Sequence, residues 1–195
     1  MEAKEILRKQ FREDRKALGE TERRIRSEKI ASQSLLFLKA QKGVRHIHLF
    51  FPIKKLYEID TLVVLPSLFD AGYQVYGSVT DRRARTLRTV KINKETVFIE
   101  DLMGIPVPED PVYVSNECID LVFVPLLGVD AKGNRLGYGM GFYDRFFGEL
   151  RPEVLKVGLS FFREAKSIPV AKHDVPLDAC VFPDKNVIFN RTIVK

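Results

Sequence analysis

The stretch that most limits what this chain can fold into runs from Val122 to Phe147, VFVPLLGVDAKGNRLGYGMGFYDRFF. Its entry, Ile119 to Pro125, is continuously apolar, as a strand of a parallel sheet covered on both faces must be. The chain then turns between Gly128 and Gly133, sets Gly137, Gly139 and Gly141 two residues apart, and closes on Phe142, Tyr143, Asp144 and Arg145. Three glycines strip the side chains from one short loop, so its backbone can approach a ligand and aim N–H groups at it. Phosphate oxygens are the usual guests when a helix starts behind such a loop, and the plain alternative is a tight strand-to-helix connection. The spacing is neither GxxxxGK[ST] nor GxGxxG, and no acidic residue stands about 20 residues on to take a ribose.

The remaining pattern is that of an α/β chain. Residues 3–18 read as an amphipathic helix, with Ile6, Leu7, Phe11 and Leu18 on one face and Lys4, Arg8, Arg12 and Arg15 along a basic side. A second helix is expected from Thr21 to Ala40, with Ile25, Ile30, Leu35, Leu36 and Leu38 directed to a core. Lys4 and Arg8 stand one turn apart and can reach the same anion. A strand from Arg45 to Phe51, a loop from Pro52 to Asp60, a helix from Thr61 to Ala71 and a strand from Tyr73 to Val79 make a strand–helix–strand unit, which argues for a parallel sheet. Pro66 weakens that third helix, since an interior proline costs ~3 kcal/mol. Residues 81–94 are basic and read as a charged edge strand or as a guide for a polyanionic tail. Residues 105–111 read as an irregular, proline-rich loop. Further strands are expected at Leu155–Phe161, Ala179–Phe182 and Val187–Phe189, and a helix at Phe142–Leu150.

At 195 residues and 45% hydrophobic, without an internal repeat or linker, one domain over 1–195 is the economical reading. No run of about 18 apolar residues occurs, and the charged start MEAKEILRKQFREDRK lacks an apolar signal core, so a cytoplasmic protein is expected. Cys118 and Cys180 lack zinc or disulfide spacing and read as free thiols. The net charge of +6 suits a nucleotide, a polycarboxylate or nucleic acid, and does not choose among them.

Asp144, at the start of a helix behind the glycine loop, is placed to hold Mg²⁺ beside phosphates or simply to cap the helix. His173-Asp174 offers a second carboxylate, with Asp178 as its rival. His46 and His48 sit on a strand, where core histidines are the ordinary case. No nucleophile–base pair stands out, so a nucleotide site here would work by positioning and by electrostatic stabilisation of phosphoryl transfer.

GNRLGYGMGFYDRFF (133–147) resembles the signature of the 5-formyltetrahydrofolate cyclo-ligase, or methenyltetrahydrofolate synthetase, family. So do Lys4-x-x-Leu7-Arg8, Glu58-Ile59-Asp60-Thr61, Val157 to Phe161 and His173 to Asp178, in the family's order. The resemblance implies an α/β three-layer sandwich with a mostly parallel central sheet and an N-terminal helical pair. It implies an enzyme that uses ATP and Mg²⁺ to convert 5-formyltetrahydrofolate into 5,10-methenyltetrahydrofolate, releasing ADP and phosphate. Lys4, Arg8, Arg135, Leu136, Gly137, Tyr138, Gly139, Met140, Gly141, Phe142 and Tyr143 would bind the nucleotide. Glu58 and Tyr138 to Phe142 would face the folate, and Asp144 and Asp174 would hold the metal. Lys4, Arg135 and Tyr143 would act on the reacting groups. The implied substrate is possibly polyglutamylated, with Arg82, Arg83 and Arg85 as a guide for its tail. A monomer without a nucleic-acid or membrane partner is expected.

Departures from the family pattern are Tyr138 and Met140 in place of basic residues, Gly77-Ser78-Val79 where a proline is common, Glu164 for Gln, and Phe182-Pro183. Two other function classes compete. One is a nucleic-acid-binding module using the basic helices and the 82–94 cluster; the other is a nucleotide-binding regulator without turnover.

Overall fold

A computed structural model describes residues 2–81 and 83–190. Helix α1 (Glu2–Ala17) carries Glu2 and Glu5 in its first turn and Arg15 and Lys16 in its last, the order a helix dipole favours. Gly19 separates it from α2 (Glu20–Ala40). On α2 the buried residues are Ser27, Ile30, Ser34, Phe37 and Leu38, a stripe of helical period. Leu36, expected in the core, is 58% exposed, because Phe37 occupies the inward position beside it. On α1, Ile6 likewise points out, and Leu7 and Phe11 point in.

Strand β1 (His46–His48) is followed by a loop and by the segment expected as one helix. That segment divides at Pro66. Thr61–Val64 forms a 3₁₀ turn capped by the Asp60 carboxylate, which accepts from the Leu62 N–H. The α-helix α3 (Leu65–Asp70) then takes the proline into its first turn, where the missing N–H costs nothing. Gly72, at φ +80°, turns the chain into β2 (Gln74–Asp81).

A hairpin leads to β3 (Thr86–Ile92), paired with β2 from Val75–Ile92 to Asp81–Thr86. The basic stretch is therefore not an edge strand: β6 (Val112–Tyr113) covers part of its outer side. Arg83 and Arg85 lie in the hairpin turn, and Arg82 lies outside the described residues. Between β3 and β6, β4 (Phe98–Glu100) and β5 (Pro106–Pro108) form a separate two-stranded ribbon. Residues 105–111 are thus not wholly irregular. Pro106 and Pro108 are tolerated because the ribbon leaves β5 with a free edge.

The rest of the chain comprises β7 (Leu121–Pro125), the short pair β8 (Gly128–Val129) and β9 (Arg135–Leu136), α4 (Phe142–Gly148), β10 (Leu155–Leu159), β11 (Ala179–Val181) and β12 (Asn186–Ile188). The main sheet runs β12-β11-β10-β7-β1-β2-β3-β6. Its centre is parallel; β12 pairs antiparallel with β11, β3 with β2, and β6 with β3.

Alternation along β7 builds the two cores. Leu121 and Phe123 pack with α2 and α3, whereas Val122 and Val124 pack with Phe146 and Phe147 of α4. Helices on both faces give the three layers. His48 follows the same alternation. It is fully buried on the α4 face, its ring 4.9 Å from that of Phe146 and its Nε2 2.6 Å from Ser78 Oγ.

Candidate active site

The sheet reverses direction of growth between β1 and β7. From β1 the chain adds β2 on one side, and it later returns to lay β7 on the other. A crevice outside the carboxyl ends of the strands at such a point is where open α/β sheets bind ligands. The segment after β1 carries Glu58, and the segment after β7 carries the glycine loop.

Asp130 shapes the approach to that loop. Its Oδ1 accepts from the backbone N–H groups of Lys132 (2.9 Å) and Asn134 (3.0 Å); its Oδ2 accepts from Asn134 Nδ2 and from the Ile168 N–H, both at 3.0 Å. Burial alone would raise its pKa, but these donors hold the carboxyl below its ordinary value. Beyond β9, Gly139 and Gly141 take φ of +94° and +69°, where an L side chain is strained. Gly137 does not, and a Cβ there would meet nothing within 4 Å.

Helix α1 lies against this loop. Lys4, Arg8, Phe11 and Arg15 follow the i, i+4, i+7, i+11 stripe of one helix face. Phe11 docks where Gly128 has no side chain; a Cβ on Gly128 would fall 2.5 Å from its ring. The Arg8 Nε donates to the Gly137 carbonyl at 2.9 Å, and its guanidinium lies over Gly139. Lys4 Nζ meets Asp174 Oδ2 at 2.5 Å. Arg15 is 3% exposed. The stripe therefore packs onto the loop rather than forming a solvated basic face.

Asp174 also accepts from the Ala171 N–H at 2.7 Å. Burial would raise its pKa, but that bond and Lys4 hold it below its ordinary value. Arg135 is almost buried, with its guanidinium 4.8 Å from the Phe147 ring. It donates to Asp144 and to the carbonyl of Val175, so one side chain holds both the start of α4 and the segment carrying Asp174. Asp178 has a different setting: its Oδ2 accepts from the Lys156 N–H at 2.9 Å and its Oδ1 from Asn190 Nδ2 at 3.2 Å, at the start of β10 and β11.

Opposite, Tyr57 turns through the left-handed region (φ +52°) with the Arg23 guanidinium 4.6 Å from its ring. The turn brings Glu58 inward, where its Oε2 accepts from the Ile53 N–H at 2.7 Å. Burial raises the Glu58 pKa. Burial, and then the charge of Glu58, push the phenols of Tyr138 and Tyr143 well up, so both stay protonated. Tyr143 packs edge-on to Phe146 and Phe147, Leu136 is buried, and Met140 is 62% exposed.

A match to the 5-formyltetrahydrofolate cyclo-ligase family covers residues 1–183. The chain belongs to that family. The 5-formyltetrahydrofolate cyclo-ligase of Haemophilus influenzae is 31% identical over 157 residues, spanning 77% of this chain and 82% of the relative. That of Mus musculus is 27% identical over 199 residues, spanning 93% and 94%. The solved structure of Aquifex aeolicus 5,10-methenyltetrahydrofolate synthetase aligns with a TM-score of 0.78 at 28% identity, over 95% of this chain and 92% of that one. A synthetase from Mycoplasma pneumoniae shares the fold, with a TM-score of 0.73 at 23% identity, over 92% and 98%.

In this cyclo-ligase chain, Lys4, Arg8, Arg135, Asp144 and Asp174 gather with the glycine loop, and the charge of Glu58 acts on Tyr138 and Tyr143 of the same stretch. Sequence reasoning missed two residues. Asp130 had a readable signal, an aspartate opening the Asp-Ala-Lys-Gly-Asn turn. Arg15 had a weaker one, its register with Lys4 and Arg8.

Proposed function

We propose that this chain, working as one cyclo-ligase domain, converts 5-formyltetrahydrofolate into 5,10-methenyltetrahydrofolate at the expense of ATP and with Mg²⁺. The observation that carries this reading is the convergence at one switch point of two cation–carboxylate pairs, Lys4–Asp174 and Arg135–Asp144, with a glycine loop and a half-buried Glu58.

The donor set fits Mg²⁺. Two partly exposed carboxylates, with no cluster of three or more His, Cys, Asp or Glu among the described residues, match an ion that takes one or two carboxylates and completes its shell with phosphate and water oxygens. Asp144 and Asp174 would hold the ion, which would supply charge neutralisation on the phosphates. Lys4, Arg8 and the loop N–H groups would bind the γ- and β-phosphates.

A formamide oxygen is a poor leaving group. Transfer of the γ-phosphoryl group to the formyl oxygen gives an imidate-like phosphate and ADP. N10 of the substrate then attacks the formyl carbon, N10 gives up its proton, and the C–O bond breaks as phosphate leaves with the oxygen. The nucleophile belongs to the substrate, so the protein's task is to hold both substrates in line and to neutralise charge. Tyr143, fixed as a neutral phenol, can donate a hydrogen bond to an oxygen gaining charge.

The test follows the near-ultraviolet absorbance of the methenyl product with 5-formyltetrahydrofolate, ATP and Mg²⁺, beside Asp144→Ala. A signal that requires all three components and collapses in the variant is expected. A folded, ATP-binding protein that gives no product would favour the regulator reading instead.

A further inference from the structure

Two carbonyls of the glycine loop are held by arginines that reach it from different elements. From α1, the Arg8 Nε donates to the Gly137 carbonyl at 2.9 Å. From α4, the Arg145 Nη2 donates to the Met140 carbonyl at 2.9 Å. A trans peptide is planar, so its C=O and N–H point in opposite directions. Holding the Gly137 carbonyl therefore aims the Tyr138 N–H away from Arg8. Holding the Met140 carbonyl aims the Gly141 N–H away from Arg145. Among the described residues, neither of these N–H groups meets a protein acceptor. Gly139 and Gly141, at φ +94° and +69°, are the residues that would otherwise let the two planes turn.

The second hold is anchored outside the loop. The Arg145 Nε donates to the Arg85 carbonyl at 2.8 Å, in the turn of the β2–β3 hairpin. Arg85 itself passes through the left-handed region (φ +56°), a costly place for a residue with a side chain. The Asp81 Oδ1 steadies that turn by accepting from the Ala84 N–H at 2.9 Å. The Arg145 guanidinium lies 5.5 Å from the Phe142 ring, and a Cβ on Gly141 would stand 3.1 Å from its Nη1. The preceding residue, Asp144, pairs with Arg135, and Arg145 has no carboxylate partner among the described residues. Its side chain thus serves two carbonyls at once. That task needs the rigid fork of a guanidinium; a lysine carries the charge without the fork.

We propose that Arg145 is a positioning residue for phosphoryl transfer: by bracing the Met140 carbonyl against the β2–β3 hairpin turn, it presets the Gly141 N–H as a donor to the phosphate oxygens of the nucleotide. The proposal rests on the cyclo-ligase reading. A preset donor needs no reorientation as charge moves onto the oxygen it faces, whereas a freely turning glycine peptide does. The exposed arginine that follows Asp144 gains a task besides surface charge, and so does the hairpin. The loop is then held from α1 through Arg8 and from the main sheet through Arg145.

The experiment compares Arg145→Met and Arg145→Lys with wild type in the full chain. It reads kcat, KM for ATP, KM for 5-formyltetrahydrofolate, the salt dependence of kcat/KM for ATP, and urea unfolding. Both variants are expected to lose about 10- to 100-fold in kcat/KM for ATP, the worth of a hydrogen bond to a charged group. The folate KM and the unfolding midpoint stay near wild type, because the side chain is exposed. The defect is the same at low and high salt, and lysine does not rescue it. A lysine variant equal to wild type, with a methionine defect that fades as salt rises, would make Arg145 a charge that attracts ATP and overturn the proposal. Equal rises in both KM values, or wild-type kinetics in both variants, would overturn it as well. Should Arg145→Met fail to fold, Arg145→Gln, which keeps a single amide donor, takes its place under the same criteria. A wild-type protein that makes no product would overturn the cyclo-ligase reading itself, an outcome distinct from an active wild type whose Arg145 variants match it.

Discussion

Two neighbouring glycines of the loop separate a folding requirement from a ligand requirement. At Gly139 an alanine would stand at φ +94° with its Cβ 3.1 Å from Arg8 Cζ. The backbone strain is worth about 1–2 kcal/mol, and displacing the guanidinium also disturbs the bond to the Gly137 carbonyl. Gly139→Ala should therefore lower the unfolding free energy by about 2 kcal/mol in urea and weaken ATP use as well. At Gly137 the same substitution meets no neighbour within 4 Å and no positive φ. Its stability should be unchanged or up by about 0.4–1 kcal/mol, because alanine restricts the unfolded chain. If the loop backbone approaches phosphates, though, the added methyl stands in the ligand's path. A displacement on the order of 1 Å can cost about 100-fold, so kcat/KM for ATP should fall tenfold or more in a fully folded protein. Urea unfolding and steady-state kinetics on both variants decide the matter. Gly137→Ala with wild-type kinetics would refute the close-approach argument, and Gly139→Ala with wild-type stability would refute the strain argument.

Burial pushes His48 down to about 3 from an ordinary 6.5, so between those values only the unfolded chain takes up the proton. Stability should fall as pH drops from about 6.5 toward 3, by at most ~5 kcal/mol from this group, and His48→Gln should flatten that slope in pH-resolved denaturant melts. Phe11→Ala should cost ~2 kcal/mol and raise the ATP KM, because the half-buried ring docks α1 onto Gly128; a thermal melt with unaltered ATP kinetics would separate the docking from the site. Replacing Arg83 and Arg85 with serine should weaken a polyglutamylated substrate more than its monoglutamyl form, and an unchanged preference in competition assays would remove the hairpin turn as a tail guide.

The parallel core was legible because its signal is redundant. Residues 119–125 cannot be an amphipathic strand, and the helix between the first two long strands demands a crossover. Helix ends were legible where glycine or a cap decided them, as at Gly72 and Asp60. Which of two adjacent apolar residues faces inward was not, since Leu36 and Phe37 suit period and polarity alike and only the position of the sheet decides. Strand β5 of the ribbon was hidden because its prolines argue against a central strand, and they say nothing against a ribbon with a free edge.

The site divides the same way. Local chemistry announces the glycine loop and Asp144, whereas the meaning of the basic helix depends on what it touches. Lys4, Arg8 and Arg15 look like a solvated face until the docking point is known, and that point is an absence: Gly128 has no side chain, so Phe11 settles there and turns the stripe inward. A single added Cβ at Gly128 would lift the helix and with it three of the cations that face the crevice. The position that controls the site's charge is thus one that carries no charge, which is why residue type alone did not reveal it.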